Sequence, residues 1–260
     1  MNGTFVFLGT GSSMGVPVIG CSCQVCQSSN LKNKRTRAAA LVHLKDKTFL
    51  IDAGPDFRSQ ALINNIQKID GFILTHAHYD HIGGFDDLKA YQYVLQKKVP
   101  CLMSEETFLE LKNRYHYFFH PTPEDPVNSR FFSWTLVDNS FGQIEFEGSL
   151  LHYVSYFQAG MKVLGVRIGN LAYISDIKRY EERLIQELAG VEILIVSALK
   201  TAGSEMHFSL EEALTFSKRV APHKTYLTHI AHEMEHQKVQ ESLPSNVFLA
   251  YDGLTLPFIF

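Results

Sequence analysis

Short apolar runs bounded by Gly, Pro, Asp or Asn recur in both halves of the chain and predict β-strands. In the first half they are FVFL, AALVHL, TFLID and GFILT. In the second half they are IEFEG, KVLGVRIG, LAYIS, EILIV, TYLT and VFLAY. Three segments with helical spacing lie among them, namely FDDLKAYQYVLQKK, IKRYEERLIQELAG and SLEEALTFSKRVA. The last begins with Ser209 and Glu212 at capping-box spacing. Neighbouring strand pairs with helices between them predict an α/β fold of two sheets with helices outside.

No linker or low-complexity tract interrupts the pattern, so we predict one domain over residues 1–260. Its irregular part is YHYFFHPTPEDPVNSRFF, where aromatic residues meet three prolines. We interpret the stretch 105–132 as a candidate lid beside a pocket, with a plain surface loop as the equal alternative.

Composition restricts the classes of function. The chain is 45% hydrophobic and 20% charged, as in soluble globular proteins, and its net charge is −3. This charge disfavours long nucleic acid and acidic membranes as partners. The N-terminus lacks the pattern of a signal peptide, and no apolar run approaches the ~18 residues of a membrane span. Four cysteines, three of them in GCSCQVC, do not form a secreted disulfide framework. We expect a cytoplasmic enzyme with a small-molecule substrate and with a homodimer as its candidate assembly.

The segment GFILTHAHYDHIGG concentrates metal-binding side chains directly after an apolar strand. His76 and His78 are two residues apart, so at the end of a strand they point the same way. Asp80 and His81 follow where the chain turns. Imidazole and carboxylate are ligands of Zn²⁺, Mn²⁺ and Fe²⁺, and the pattern therefore predicts a metal site.

The H-x-H-x-D-H pattern resembles the signature of the metallo-β-lactamase superfamily. Further motifs similar to one branch of it follow in order over nearly the whole chain: FLGTGSSMGVP with GCSCQVC, TRAAALV, LIDAGPDFRSQ, LAYISD, MHFSLEEAL and LTHIAH. That branch contains the phosphoribosyl cyclic phosphate phosphodiesterase of the carbon–phosphorus lyase pathway, and ribonuclease Z is a cousin. The resemblance implies a four-layer αββα sandwich with a binuclear metal centre between the sheets.

The resemblance also implies roles for the residues at matching positions. His76 and His78 would bind the first metal, Asp176 would bridge both metals, and the ligands of the second would be Asp80, His81 and His229. Asp52 would orient the histidine loop from behind the ligands. His207 would contact the scissile phosphate or protonate the leaving group.

Cys21, Cys23 and Cys26 form a C-x-C-x₂-C cluster that needs a fourth ligand to close a structural tetrahedral zinc site. The resemblance implies His232, three residues after His229, as that ligand. A redox pair is the competing interpretation. Cys101 lies apart, and we expect it to be a buried thiol.

One residue departs from the family pattern. The first metal should have a third histidine, but the strand pattern puts Gln158 at that position. His152 lies six residues earlier on the same strand face, about 20 Å away in extended chain, and would reach the metal only through a bulge or register shift. An amide oxygen binds zinc poorly and suits harder ions better. The first metal is therefore weakly held, is Mn²⁺ or another harder ion, or is absent.

We expect a metallo-hydrolase with one structural Zn²⁺ and one or two active-site Zn²⁺ or Mn²⁺ ions. A metal-bound hydroxide would attack a small phosphodiester, either a cyclic ribose phosphate or a nucleotide-like ester. Asp80 would orient the nucleophile, and His207 would donate a proton to the leaving oxygen. The alternatives are a tRNA-processing endonuclease like ribonuclease Z and, because of Gln158, a non-catalytic metal-bound scaffold or sensor. A β-lactamase or thioesterase is less favoured, because the flanking motifs belong to the phosphodiesterase branch.

Overall fold

Two seven-stranded sheets form the centre of the molecule, as seen in a computed structural model that describes all residues 1–260. The strands are β1 (Asn2–Gly9), β2 (Ala39–Leu44), β3 (Lys47–Ile51), β4 (Gly71–Ile73), β5 (Val99–Ser104), β6 (Phe132–Val137), β7 (Phe141–Phe146), β8 (Ser149–Gln158), β9 (Met161–Ile168), β10 (Leu171–Ile174), β11 (Ile193–Ser197), β12 (Lys224–Thr228), β13 (Val247–Leu249) and β14 (Thr255–Ile259). The first sheet has the order β14-β1-β2-β3-β4-β5-β6, and the second has the order β13-β12-β11-β10-β9-β8-β7.

Each sheet is antiparallel in one half and parallel in the other. In the first sheet, the pairs from β14 to β3 are antiparallel and those from β3 to β6 are parallel. In the second sheet, the pairs from β7 to β10 are antiparallel and those from β10 to β13 are parallel. The loops that follow a set of parallel strands all leave from one edge of the sheet, which is where α/β proteins place their sites.

Helices cover the outer face of each sheet. They are α1 (Phe57–Ile63), α2 (Tyr79–Ile82), α3 (Lys89–Leu95), α4 (Glu105–Arg114), α5 (Glu182–Glu187), α6 (Leu210–Val220) and α7 (His236–Ser242), with 3-10 turns at Leu31–Asn33, Phe85–Leu88 and His116–Phe118. None of these helices has the length and apolar character needed to cross a bilayer.

Three apolar layers alternate with these elements. One lies between the sheets and includes Phe5, Phe49 and Tyr173. The second joins the first sheet to its helices, and the third joins the second sheet to α5, α6 and α7. Three cores separate four layers of secondary structure, so the predicted αββα sandwich is confirmed.

The helical segments are shorter than the sequence pattern predicts. FDDLKAYQYVLQKK begins as a 3-10 turn before α3, and IKRYEERLIQELAG is helical only in α5. The capping box of Ser209 and Glu212 is present at the start of α6. The pattern missed β5, β6 and β14. The runs of β5 and β14 contain Pro100 and Pro257, and proline normally argues against a strand.

The stretch 105–132 has two parts. The first is α4, which packs against the first sheet through Phe108 and Leu111. In the second, Phe118 and Phe119 pack into that same helix-side core, and residues 120–126 are exposed. The end of α4 reaches the histidine segment, since Arg114 Nη1 donates a 2.7 Å hydrogen bond to the carbonyl of Ala77.

Candidate metal centre

The predicted site residues come from both sheets and meet at one edge of the sandwich. Asp52 follows β3, and the histidine segment follows β4. Asp176 comes two residues after β10, and His229 directly follows β12. Gln158 is the last residue of β8, which runs in the same direction as β10. Residues far apart in sequence therefore converge because their strands end at the same edge.

Four side chains form a tight group at this edge. His81 Nε2 lies 3.4 Å from Asp80 Oδ2 and 3.4 Å from Asp176 Oδ2. His229 Nε2 lies 3.3 Å from each of the same two oxygens. At zinc–nitrogen and zinc–oxygen bond lengths of about 2.05 Å, two ligand atoms about 3.35 Å apart subtend a near-tetrahedral angle at the metal, and these four nitrogen–oxygen separations fit that angle. The donor set therefore fits a divalent cation.

Burial and charge lead to the same conclusion. The side chains of Asp52, Asp80 and Asp176 are only 0%, 9% and 1% exposed. Three carboxylates confined away from water require compensating positive charge. In addition, His81 Nε2 and Asp176 Oδ1 are buried without any hydrogen-bond partner. A cation among the ligands accounts for both the charge and the unpartnered nitrogen.

A second group shares Asp176 with the first. His76 Nε2 lies 3.1 Å from His78 Nδ1 and 3.6 Å from Asp176 Oδ2. Because Asp176 Oδ2 belongs to both groups, a single oxygen is within reach of two neighbouring cation positions. This arrangement matches the bridging role that the resemblance implies for Asp176.

Gln158 lies where the strand pattern predicts, buried at the end of β8 beside the cluster. Its Nε2 is 3.4 Å from Asp176 Oδ2 and 2.9 Å from His207 Nε2. Its Oε1 is buried and has no partner, so one amide oxygen is free to act as a weak ligand. His152 lies elsewhere, 3.5 Å from Gln143 Nε2 and opposite Arg167 in the sheet, and it does not enter the cluster.

Asp52 supports the histidine segment from behind. Its Oδ2 accepts a 2.7 Å hydrogen bond from His81 Nδ1, which leaves His81 Nε2 directed at the cluster. Thr75 also binds Asp52, through both its backbone amide at 2.9 Å and its hydroxyl. Sequence reasoning missed Thr75; the only available signal was its position between the apolar strand and His76.

The backbone is strained at three of these residues. Asp52, Asp176 and His229 have φ values of 61°, 53° and 56°, in the left-handed region that non-glycine residues seldom adopt. Such conformations persist only where the surroundings enforce them, and they cluster at functional sites. Here each one follows a strand end and turns the side chain into the cluster.

The electrostatics of the cluster are strongly coupled. Burial lowers the pKa of His76 well below its usual value, and the neighbouring His81 adds to that effect. Burial alone would raise the pKa of Asp80 and Asp176, but the adjacent histidines outweigh it and hold both values well below the usual range. The carboxylates are therefore ionised and ready to bind a cation.

His207 faces the same cluster from the loop before α6. Its ring stacks on that of His229 with centroids 4.6 Å apart, and its Nδ1 lies 3.8 Å from Asp176 Oδ2. Burial, together with the neighbouring His229, lowers the pKa of His207 to about 4. The imidazole is therefore neutral at pH 7 and keeps one N–H for donation.

The three clustered cysteines meet His232, as the resemblance implies. The Sγ atoms of Cys21, Cys23 and Cys26 lie 3.4, 3.4 and 3.5 Å from His232 Nδ1. A tetrahedral zinc ion with bonds of about 2.3 Å to sulfur and about 2.05 Å to nitrogen holds its sulfur and nitrogen ligands about 3.5 Å apart, which agrees with these distances. Cys101 is fully buried and apart from this group.

Residues 47–230 match the family description "Beta-lactamase superfamily domain". A solved structure described as a new diphosphatase from the PhnP family is 33% identical to this chain, with a TM-score of 0.90, and the match covers 99% of this chain and 98% of that one. The short form of human tRNase Z has the same fold, with a TM-score of 0.66 and 17% identity over 97% of this chain and 98% of that one.

Among curated proteins, an octanoyltransferase of Porphyromonas gingivalis is 31% identical over 254 residues, which are 96% of this chain and 50% of that protein. This chain thus spans about half the length of that relative.

Proposed function

We propose that this chain, which belongs to the β-lactamase superfamily, hydrolyses small phosphodiesters with the help of divalent metal ions. The observation that carries the proposal is the pair of ligand groups that share Asp176 Oδ2. Two cations bound side by side suit the displacement of a leaving oxygen from phosphorus. The similarity to a PhnP-family structure along nearly the whole chain adds support.

His76 and His78 would hold one cation; Asp80, His81 and His229 would hold the other; and Asp176 would contact both. When bound, such ions supply a nucleophile at neutral pH and neutralise charge on the phosphoryl oxygens. Asp52 fixes the orientation of His81 through its 2.7 Å hydrogen bond. Asp80 would also align the attacking water. His207 would donate a hydrogen bond to the substrate through its neutral ring, or a proton once the phosphate anion of the bound substrate raises its pKa.

A diphosphate is the second candidate for the scissile group, because the PhnP-family structure is described as a diphosphatase. Phosphodiesters and diphosphates share a phosphorus atom with one oxygen leaving group, so the same ligands would serve both. Long tRNA is disfavoured by the net charge of −3.

The test is a substrate panel on metal-depleted protein resupplied with Zn²⁺ or Mn²⁺. It would include bis(4-nitrophenyl) phosphate, a 2′,3′-cyclic nucleotide, a dinucleoside diphosphate, precursor tRNA and nitrocefin. We expect metal-dependent cleavage of the small diesters. Cleavage of precursor tRNA alone would favour the endonuclease, and a fully metal-loaded protein that cleaves nothing would favour the scaffold or sensor.

Replacing His207 with Ala should lower kcat by about 10²–10⁴-fold on a diester with an alkyl leaving group. The loss should be much smaller with 4-nitrophenol as the leaving group, since this phenolate leaves without a proton. The comparison requires kcat for both esters with the same metal. Equal losses for the two leaving groups would assign His207 to phosphate contact instead of proton donation.

Replacing Gln158 with His should raise zinc occupancy of the first site, since an imidazole binds zinc better than an amide oxygen. The wild-type protein should hold this ion loosely and respond more to added Mn²⁺ than to Zn²⁺. Metal content after dialysis is the measurement, because the rate can change in either direction. His152→Ala is the control and should leave metal content unchanged; a loss of metal in that variant would contradict the assignment.

A further inference from the structure

Two consecutive residues at the end of α4 contact the backbone of the histidine segment at two points. Arg114, the last residue of the helix, donates a 2.7 Å hydrogen bond from Nη1 to the carbonyl of Ala77. Tyr115 follows it and donates a 2.5 Å hydrogen bond from its hydroxyl to the carbonyl of Ile82. Three of the ligands lie between these two points, within residues 78–81. The end of α4 is therefore bonded to both sides of the stretch that carries them.

The two points of attachment belong to different ligand groups. Ala77 lies between His76 and His78, so its position affects the first group. Ile82 directly follows His81 at the end of α2, so its position affects the second group. Displacement of either carbonyl would therefore move the ligand atoms of one group more than those of the other.

The histidine segment has little structure of its own to resist such a displacement. Ala77 lies outside the helices and strands, and its carbonyl accepts no backbone hydrogen bond, so Arg114 is its partner within the chain. Since Ala77 is buried, loss of this bond would leave a polar group without a partner. The α2 helix has only four residues, fewer than an isolated helix needs to be stable. The segment thus depends on contacts from outside for its geometry.

Packing makes the end of α4 a firm support for these contacts. Leu111 of α4 is buried in the core between the first sheet and its helices. The ring centroid of Tyr115 lies 5.3 Å from that of Phe85 and 6.0 Å from that of Phe118, on which it stacks. Both phenylalanines belong to the same core. The tyrosine hydroxyl is therefore directed at its carbonyl by side chains that are themselves fixed.

We infer that Arg114 and Tyr115 are positioning residues that hold the histidine segment in its metal-binding geometry, Arg114 for the first ligand group and Tyr115 for the second. Neither side chain is a ligand, and each acts through a backbone carbonyl. The inference rests on the proposed function, because it concerns the same metal ligands, but it requires no particular substrate.

Tyr115→Phe removes only the hydroxyl, and it should raise the Kd for Mn²⁺ about tenfold, an effect of the size found for residues that support metal ligands. Protein freed of active-site metal is titrated with Mn²⁺, and the free ion is followed by electron paramagnetic resonance. Mn²⁺ suits this titration because a thiolate cluster disfavours it. Tyr91→Phe is the matched control and should leave the Kd unchanged, because the Tyr91 hydroxyl donates a 3.0 Å hydrogen bond to the carbonyl of Ile66, outside the segment.

Arg114→Met should also raise the Kd about tenfold, for one equivalent of Mn²⁺. Loss of a positive charge by itself would favour a bound cation, so weaker binding reports the lost hydrogen bond. Arg114→Lys keeps the charge and one donor group and should recover part of the affinity. Arg167→Met is the matched control, because Arg167 Nη1 donates to the carbonyls of Glu187 and Ala189, outside the site.

Unchanged Mn²⁺ affinity in both Tyr115→Phe and Arg114→Met would overturn the inference. An equal loss of affinity in the two controls would overturn it as well, because it would indicate general destabilisation. The titration also separates this inference from the proposed function. If no ester is cleaved with any metal, weaker Mn²⁺ binding in the two variants and not in their controls still supports the positioning role. A wild-type protein that takes up no Mn²⁺ would contradict the metal centre and the inference together.

Discussion

Replacing His81 with Ala is expected to lower kcat on small phosphodiesters by several orders of magnitude and to remove about one equivalent of active-site metal. His81 Nε2 lies 3.4 Å from the oxygens of both Asp80 and Asp176, so its loss opens one corner of the ligand group. Asp80→Ala should have an effect of the same order, because Asp80 Oδ2 also contacts His229 at 3.3 Å. Metal analysis and initial rates on the same protein samples provide the measurement.

Two comparisons make this result specific. Asp52→Asn keeps the shape behind His81 but removes the charge, and it should weaken metal binding by about 10–100-fold, as is usual for a residue that supports a ligand. His152→Ala removes a histidine outside the cluster and should change neither metal content nor rate. If His81→Ala retained its metal and activity while its thermal unfolding stayed normal, His81 would not be a ligand.

The architecture was accessible from the sequence because most of the buried strands are apolar runs bounded by turn residues. AALVHL, for example, coincides with β2. The order of strands in the sheets was accessible only through the family resemblance, since pairings such as β1 with β14 join opposite ends of the chain. Helix ends were less predictable. The helical sequence pattern of α5 continues beyond Glu187, but the helix ends there, and Gly190 adopts a left-handed conformation with φ of 77°.

In the candidate site, too, local features were predictable from the sequence and long-range contacts were not. The spacing of His76, His78 and His81 indicated a metal site by itself, because local chain geometry brings these side chains together. Asp176 and His229 lie about 100 and 150 residues further along the chain. They reach the histidine segment only because their strands end at the same edge of the sandwich, which no local spacing reveals. The contact between Gln158 and His207 joins the end of β8 to the loop before α6, and no sequence spacing predicts it.

The three-cysteine cluster is connected to the active-site edge through the backbone. His232 and His229 lie on one loop, and Ile230 between them donates a 2.9 Å hydrogen bond to Thr10 and accepts a 3.1 Å bond from Ser12. Thr10 and Ser12 precede the cysteine segment. Loosening the cluster should therefore disturb the loop that positions His229.

Replacing Cys23 with Ser should release about one equivalent of zinc and lower the Tm. The Cys26 amide donates a hydrogen bond to Cys23 Sγ and lowers the pKa of this thiol to about 6, so the sulfur is a ready ligand at neutral pH. A stability loss of about 3 kcal/mol, at the upper end of what single substitutions usually cost, would correspond to a fall in Tm of about 6–12 °C. Zinc release measured with a chromogenic chelator, together with calorimetry, tests this. Cys101→Ser should release no zinc, because Cys101 lies outside the cluster, and unchanged zinc and Tm in Cys23→Ser would favour a redox pair over a zinc site.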